Sequence, residues 1–273
     1  MTPLPFGARL TAAIAERGRL CVGIDPHPHL LASWGLEADV AGLETMARGL
    51  VEAVGPLVAA LKPQSAFFEA YGSAGIAVLE RVLADCAQVG ALSVLDVKRG
   101  DIGSTMAAYA AAYLVDGAPL AADAITLSPY LGFGSLQPAV ELATQTGRGL
   151  FVLAHTSNPE GPEIQLAQSR GRTVGQYVVD AAAALNAGVT PLGSIGIVVG
   201  ATVGDIGTDF GALNGPVLAP GVGAQGGTLA DLRAIFGADL PGVLPATSRE
   251  IIAVGPEPAA LREAVERTLD TLR

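Results

Sequence analysis

The sequence predicts an α/β fold, a (β/α)8 TIM barrel built as a single domain over residues 1–273. Three observations lead there. Eight short apolar runs alternate with longer Ala-rich, helix-compatible stretches along the whole chain. Most of the runs are apolar at every position rather than at alternate ones, as parallel strands buried on both faces are. Eight strand–helix units in 273 residues also match the length such a barrel needs. A doubly wound open sheet shares this alternation, and the count of eight units is what favours the barrel.

In chain order, strands are expected at Leu20–Ile24, Val58–Leu61, Ala91–Leu95, Ala124–Leu127, Leu150–Leu153, Ile195–Val199, Val217–Ala219 and Val243–Pro245. Helical patterns lie near 41–54, 74–89, 104–116, 135–146, 172–187, 203–212, 228–236 and 257–271. The polar stretch Asn158–Arg172 reads as an elaborated loop after the fifth strand. No low-complexity linker, charge block or shift in composition marks a second domain.

Composition bounds the function. Half the residues are hydrophobic and 15% are charged, which argues against disorder. Sixteen basic against 26 acidic residues leave a formal charge of −10, so the chain lacks the positive footprint of a nucleic-acid binder or of a protein held to anionic lipid. Any phosphate must therefore be held by local geometry. Cys21 and Cys86 are too few for a disulfide framework or a zinc ribbon. His27 and His29 sit in a Pro-rich stretch and fall short of a metal's ligand count, so a solvated loop is expected. No apolar run approaches the ~20 residues that span a bilayer, and Met1-Thr-Pro-Leu-Pro-Phe6 has no basic or apolar signal region. A soluble cytoplasmic protein is the expectation.

In such a barrel the chemistry gathers where the strands end, because the βα loops converge on one face. Several expected strands finish in a polar residue: Asp25, Lys62, Asp96-Val97-Lys98, Ser128-Pro-Tyr130, His155-Thr-Ser157 and Ser248-Arg249. One such residue is commonly just where the chain meets water; a set brought to one mouth is not so easily dismissed. The lysines add an independent argument. Fourteen of the 16 basic residues are arginine, and the only lysines are Lys62 and Lys98, both at expected strand ends. Lysine, unlike arginine, offers a compact ammonium that can transfer its proton.

The densest constellation is Leu95-Asp-Val-Lys-Arg-Gly-Asp-Ile-Gly103. In extended backbone Asp96 and Lys98 project to the same side. With Asp101 they form an Asp–Lys–Asp cluster that keeps the ammonium charged, which suits a proton donor better than a Schiff-base nucleophile. The bland alternative is an ion pair at the barrel rim. A second constellation, Ala219-Pro-Gly-Val-Gly-Ala-Gln-Gly-Gly227, follows the seventh strand. Its glycines allow close backbone approach to an anion, a helix begins just beyond, and Arg249 after the eighth strand can close on the same anion. The loops after strands seven and eight are the usual phosphate site of this barrel class.

These residues resemble the orotidine 5'-phosphate decarboxylase family, in its longer bacterial branch. The likeness runs through Val22-Gly-Ile-Asp-Pro26, Leu61-Lys-Pro63, Asp96-Val-Lys-Arg-Gly-Asp-Ile-Gly-Ser-Thr105, Leu127-Ser-Pro-Tyr-Leu-Gly132, Thr156-Ser-Asn-Pro159 and Pro220-Gly-Val-Gly-Ala-Gln-Gly227. The Asp-x-Lys-x-x-Asp core is shared with sugar-phosphate relatives, whereas its combination with the two longer motifs is specific. His155 departs from the family, which places a larger cation before Thr-Ser-Asn-Pro.

The resemblance implies decarboxylation of orotidine 5'-phosphate without metal or organic cofactor. Asp96 would lie beside the substrate carboxylate, Lys98 would stabilise and protonate the C6 carbanion, and Lys62 would hold the network in register. Asp101 and Thr105 would enter from the partner of a homodimer. Asp25 would bind a ribose hydroxyl, Ser128 would read the pyrimidine edge, Gln225 would bridge base and phosphate, and Arg249 would grip the phosphate. Two rivals stay open: a Mg2+-dependent sugar-phosphate enzyme of the same superfamily, and a nucleotide sensor that has no need of the Asp–Lys–Asp cluster.

Overall fold

Eight parallel strands pair in sequence order and close on themselves. In the computed structural model, which describes residues 4–204, 206–223, 226–238 and 242–273, they are β1 (Cys21–Ile24), β2 (Ala60–Pro63), β3 (Leu92–Arg99), β4 (Ala124–Leu127), β5 (Gly149–His155), β6 (Ile195–Val199), β7 (Val217–Pro220) and β8 (Val243–Thr247). Closure is visible at Cys21, which is in register with Ala60 of β2 on one side and Ala246 of β8 on the other. The (β/α)8 barrel expected from the alternation is the fold observed.

Helix α1 (Phe6–Arg17) precedes the barrel, and α2 (Val40–Val54), α3 (Gly72–Gln88), α4 (Gly103–Leu114), α5 (Gln137–Thr146), α6 (Val174–Asn186), α7 (Leu229–Phe236) and α8 (Pro258–Thr271) follow their strands. None of the described helices is long and apolar enough to cross a membrane.

The strands β4 and β6 have the bounds expected from their apolar runs. Five others run further: β2 to Pro63, β7 to Pro220 and β8 to Thr247, besides β3 and β5. β3 continues to Arg99 and β5 to His155, so Asp96, Lys98 and His155 belong to strands rather than to the loops beyond them. Both extensions carry a register shift, between Leu95 and Arg99 against β4 and between Leu153 and His155 against β6.

One expected helix does not form. None of the described residues between 203 and 212 is helical. Gly204 and Gly207 adopt positive φ, and the Asp209 carboxylate accepts the N–H of Gly211 two residues on. Glycine entropy and this local alternative to the helical ladder defeat a weak apolar period. Asparagines anchor the connection instead. Asn186 Nδ2 donates to the carbonyls of Ile195 and Leu213, and Asn214 Nδ2 to those of Asn186 and Val189.

Two apolar layers result. One lies between strands and outer helices, with Ile125 and Leu127 of β4 among its members. The other fills the barrel interior with Cys21, Val94, Ala124, Phe151, Val198, Leu218 and Leu244, and includes Phe6 and Leu10 of α1. Helix α1, absent from the sequence expectation, plugs the end where the strands begin. Phe6 meets Phe151 edge-on at 5.8 Å between ring centres and lies against Gly149, where a Cβ would clash with its ring. Gly7 donates its N–H to Ser194 Oγ, and Arg9 pairs with Asp123, whose other oxygen accepts the Ser93 N–H and hydroxyl.

The plug leaves only the opposite mouth open to solvent chemistry. Phe6→Ala is expected to lower unfolding free energy by about 3–5 kcal/mol, the usual cost of emptying a buried Phe site. Urea unfolding checks this.

Candidate active site

The open mouth holds an alternating line of charge. Lys62 Nζ, on β2, lies 3.7 Å from Asp25 Oδ1 at the end of β1 and 3.4 Å from Asp96 Oδ2 on β3. Lys98 Nζ then sits 2.7 Å from each Asp96 oxygen. Two carboxylates and two ammoniums therefore run Asp25, Lys62, Asp96, Lys98 across three adjacent strands. Lys62 and Asp96 are buried, while the Lys98 side chain is 46% exposed, so the line runs from the barrel interior toward the opening.

Burial alone would drive both inner groups neutral. It opposes the Lys62 ammonium, but Asp25 and Asp96 outweigh it and hold Lys62 above the ordinary lysine range. It likewise opposes the Asp96 carboxylate, but Lys62 and Lys98 outweigh it. With hydrogen bonds from Lys98 and Thr126 they hold Asp96 below the ordinary carboxylate range.

Asp96 and Lys98 do project together, though not through extended alternation. Lys98 adopts the left-handed backbone region, φ +44°, which costs a non-glycine residue roughly 1–2 kcal/mol. The turn coincides with the register shift in β3 and folds the Lys98 side chain back over Asp96. Two residues not singled out in the sequence support the cluster. Thr126 of β4 donates its hydroxyl to Asp96 Oδ1 and accepts the Lys98 N–H. Gln64 accepts from Lys62 Nζ at 3.4 Å and donates to the Asp96 carbonyl at 3.3 Å. A polar residue inside the otherwise apolar Ala-Ile-Thr-Leu strand was the one available signal for Thr126.

A cleft of about 420 Å³ opens over this line, within the ~300–1,000 Å³ of small-molecule sites. Its walls include Asp25, Lys62, Asp96, Lys98, Thr156, Ser157, Ser248 and Arg249. Three buried oxygens around it, Asp25 Oδ1, Thr247 Oγ1 and Ser248 Oγ, have no hydrogen-bond partner among the described residues, Asp25 Oδ1 meeting Lys62 only as an ion pair. Buried polar atoms of this kind suit a hydroxyl-bearing ligand.

Toward β7 and β8 the cleft is bounded by Gly221, Val222 and Arg249. Gly221, Gly223 and Gly226 all take positive φ, as a tight anion loop requires. The N–H groups of Gly223, Gly226 and Gly227, however, bond to carbonyls within the loop. The N-terminus of α7 is likewise engaged, by a capping box between Thr228 and Asp231. Gly221, Val222 and the exposed Arg249 are the described residues of these two loops that line the cleft. Gln225 lies outside the described residues.

The remaining expected residues stand apart from the cleft walls. Asp101 accepts the Ile102 N–H with its own side chain, and Thr105 is exposed on α4. Ser128 donates its N–H to the Arg99 carbonyl, and the cleft's hydroxyls come from Thr126, Thr156, Ser157, Thr247 and Ser248. Among the described residues no group of three or more His, Cys, Asp or Glu could hold a metal ion. The His27 ring packs on Phe67 beside His29. Both cysteines are free and buried.

Comparison with known proteins agrees with this geometry. A model of the orotidine 5'-phosphate decarboxylase / HUMPS family matches residues 18–264. The chain belongs to this family. A Salinispora arenicola protein named orotidine 5'-phosphate decarboxylase is 60% identical over 269 residues, 98% of this chain and 97% of its own. One of that name from Streptomyces coelicolor is 60% identical over 264 residues, 96% and 95% of the two chains. A crystal structure from Streptomyces avermitilis, provisionally named an orotidine 5'-phosphate decarboxylase, has a TM-score of 0.96 and 57% identity over 100% of this chain and 96% of that one.

The place of His155 in the structure explains what it does. Its ring is buried, lies against Gly175, where a Cβ would strike it, and shares a hydrogen bond of 2.9 Å with Thr208 Oγ1. Burial pushes its pKa down to about 4, so it is a neutral packing group at neutral pH. The unfolded chain takes up this proton near 6.5, whereas the folded protein resists it until about 4. Stability contributed by the neutral ring is therefore complete above pH 6.5 and is lost as pH falls across that window. His155→Gln is expected to show a shallower loss of stability between pH 7 and 4.5 than wild type, measured by urea unfolding at each pH.

Proposed function

We propose that this chain decarboxylates orotidine 5'-phosphate to UMP in pyrimidine biosynthesis, as a carbon–carbon lyase working through its own side chains without metal or organic cofactor. The carrying observation is the Asp25–Lys62–Asp96–Lys98 line, with Lys98 Nζ at its outer end in the wall of a cleft of about 420 Å³. The family membership and the relatives' names point the same way.

In this reading the substrate carboxylate lies beside Asp96, whose ionised form is held by Lys62 and Lys98. The C6–carboxylate bond breaks, CO2 departs, and the electron pair stays on C6 as a vinyl carbanion with no π-system to receive it. Stabilisation must then come from charge already in place, and Lys98 Nζ supplies it before delivering its proton to C6. Water returns a proton to Lys98. Asp25, Thr247 and Ser248 offer oxygens to the ribose, Thr156, Ser157 or Ser128 hydroxyls to the base, and Gly221, Arg249 and Gln225 donate N–H groups to the phosphate. Phosphate binding far from C6 stabilises the closed, aligned geometry rather than the chemistry itself.

The reading includes a cytoplasmic homodimer with the whole chain as one catalytic domain. Ile102, Tyr130 and Leu131 are 62%, 78% and 52% exposed on the loops after β3 and β4. Ile102 directly follows Asp101 and precedes Thr105 by three residues, so a copy packed on these apolar side chains would carry those residues toward the partner's cleft.

Two measurements test the proposal. Loss of orotidine 5'-phosphate absorbance is expected to persist in excess EDTA and to fall by at least about 10⁴-fold in Lys98→Ala, the scale set by losing an essential proton donor. Abolition by EDTA would redirect the assignment to a sugar-phosphate, metal-dependent reaction. Mixing inactive Lys98→Ala with inactive Asp101→Ala is expected to restore about a quarter of wild-type activity, because mixed dimers carry one intact site. No recovery after subunit exchange would place Asp101 outside the shared site.

A further inference from the structure

We propose that Thr126 is a positioning residue that sets both halves of the Asp96–Lys98 pair through a single hydroxyl. The inference rests on the decarboxylase reading for its effect on rate, but its geometric part stands on the structure alone.

Thr126 lies on β4, facing the barrel interior, and is 1% exposed. Its hydroxyl donates to Asp96 Oδ1 at 2.7 Å, and the same oxygen accepts the Lys98 backbone N–H at 2.9 Å. A hydroxyl has one proton to give and lone pairs to receive, so these two bonds use it in opposite senses. The first fixes where the Asp96 carboxylate points. The second fastens the backbone of a residue whose φ of +44° is otherwise disfavoured. That left-handed turn is what brings Lys98 Nζ to 2.7 Å from both Asp96 oxygens. Regular strand pairing does not provide it, since the β3–β4 register breaks between Leu95 and Arg99.

The arrangement differs from an ordinary buried threonine. Thr268, also buried, returns its hydroxyl to the Ala264 carbonyl of its own helix. Thr126 instead joins a carboxylate and a backbone amide of a neighbouring strand, thirty and twenty-eight residues away. Its β-branch restricts χ1, so the hydroxyl is aimed before substrate arrives. Catalytic geometry held to a fraction of an ångström needs such a support.

Thr126→Val keeps the shape and removes the hydroxyl; Thr126→Ser keeps the hydroxyl. The Val variant is expected to lose about 10²-fold in kcat, the penalty of an ångström-scale misplacement, with KM changed by less than about threefold. The Ser variant is expected to recover most of kcat. The acid limb of the Val variant's kcat profile should move to higher pH, because Asp96 loses one stabilising donor while Lys62, Lys98, Asp25 and the buried Cys21 still face it. A crystal structure of the Val variant should show Lys98 leaving its left-handed conformation. If Val does not fold, Thr126→Ala against Thr126→Ser gives the same comparison.

Retention of kcat in the hydroxyl-free variant, equal losses in Val and Ser, or an unmoved Lys98 turn would each overturn the proposal. Wild-type protein that folds but does not convert orotidine 5'-phosphate would overturn the decarboxylase reading instead, leaving the crystallographic arm to judge Thr126.

Discussion

The site depends on one constraint: Lys62 and Asp96 must stay ionised side by side at a barrel mouth where burial favours their neutral forms. Alternation of sign is the arrangement that permits it. Asp96 accepts from Lys62 at 3.4 Å and from Lys98 at 2.7 Å, and with Thr126 the two lysines outweigh its desolvation. Breaking a buried pair by removing one partner is costly because a charge is left uncompensated. The members of this line therefore depend on one another.

The barrel is what makes the line possible. Parallel pairing in sequence order places the ends of β1, β2 and β3 next to one another, so residues distant in the chain become a contiguous row. Helix α1 seals the far end with Phe6 and Leu10, leaving one mouth where side chains can reach solvent and ligand. Several departures from regular structure fall at that same mouth. The left-handed Lys98, the shifts in β3 and β5, and the positive-φ glycines after β7 all lie there. Regular packing elsewhere holds these strained segments in place.

Much of this was legible in the residues. Continuous apolar runs marked the strands because both faces of a parallel sheet are buried. The scarcity of lysine drew attention to Lys62 and Lys98 because a chain rich in arginine has little other need of an ammonium. Other features were hidden for physical reasons. The stretch 203–212 carries a helical apolar period, but its glycines and the Asp209 side chain satisfy the backbone differently. Helix α1 was missed because its reason for existing is a cavity made by other strands. The glycine loop announced an anion site, yet it could not announce that several of its N–H groups bond within the loop.

By itself, then, the sequence determined the fold class, the strand cores, and the residue types of the charged cluster, since hydrophobic period and side-chain chemistry are local properties of the chain. Tertiary structure alone decided which of those residues meet. It placed Thr126 and Gln64 beside Asp96, turned Lys98 back by a backbone angle no residue pattern encodes, and buried His155 as a neutral ring. It also separated Asp101 and Thr105 from the cleft of their own chain. Distances, register shifts and desolvation arise only when strands far apart in sequence are brought side by side, and the working geometry of the site is written in those terms.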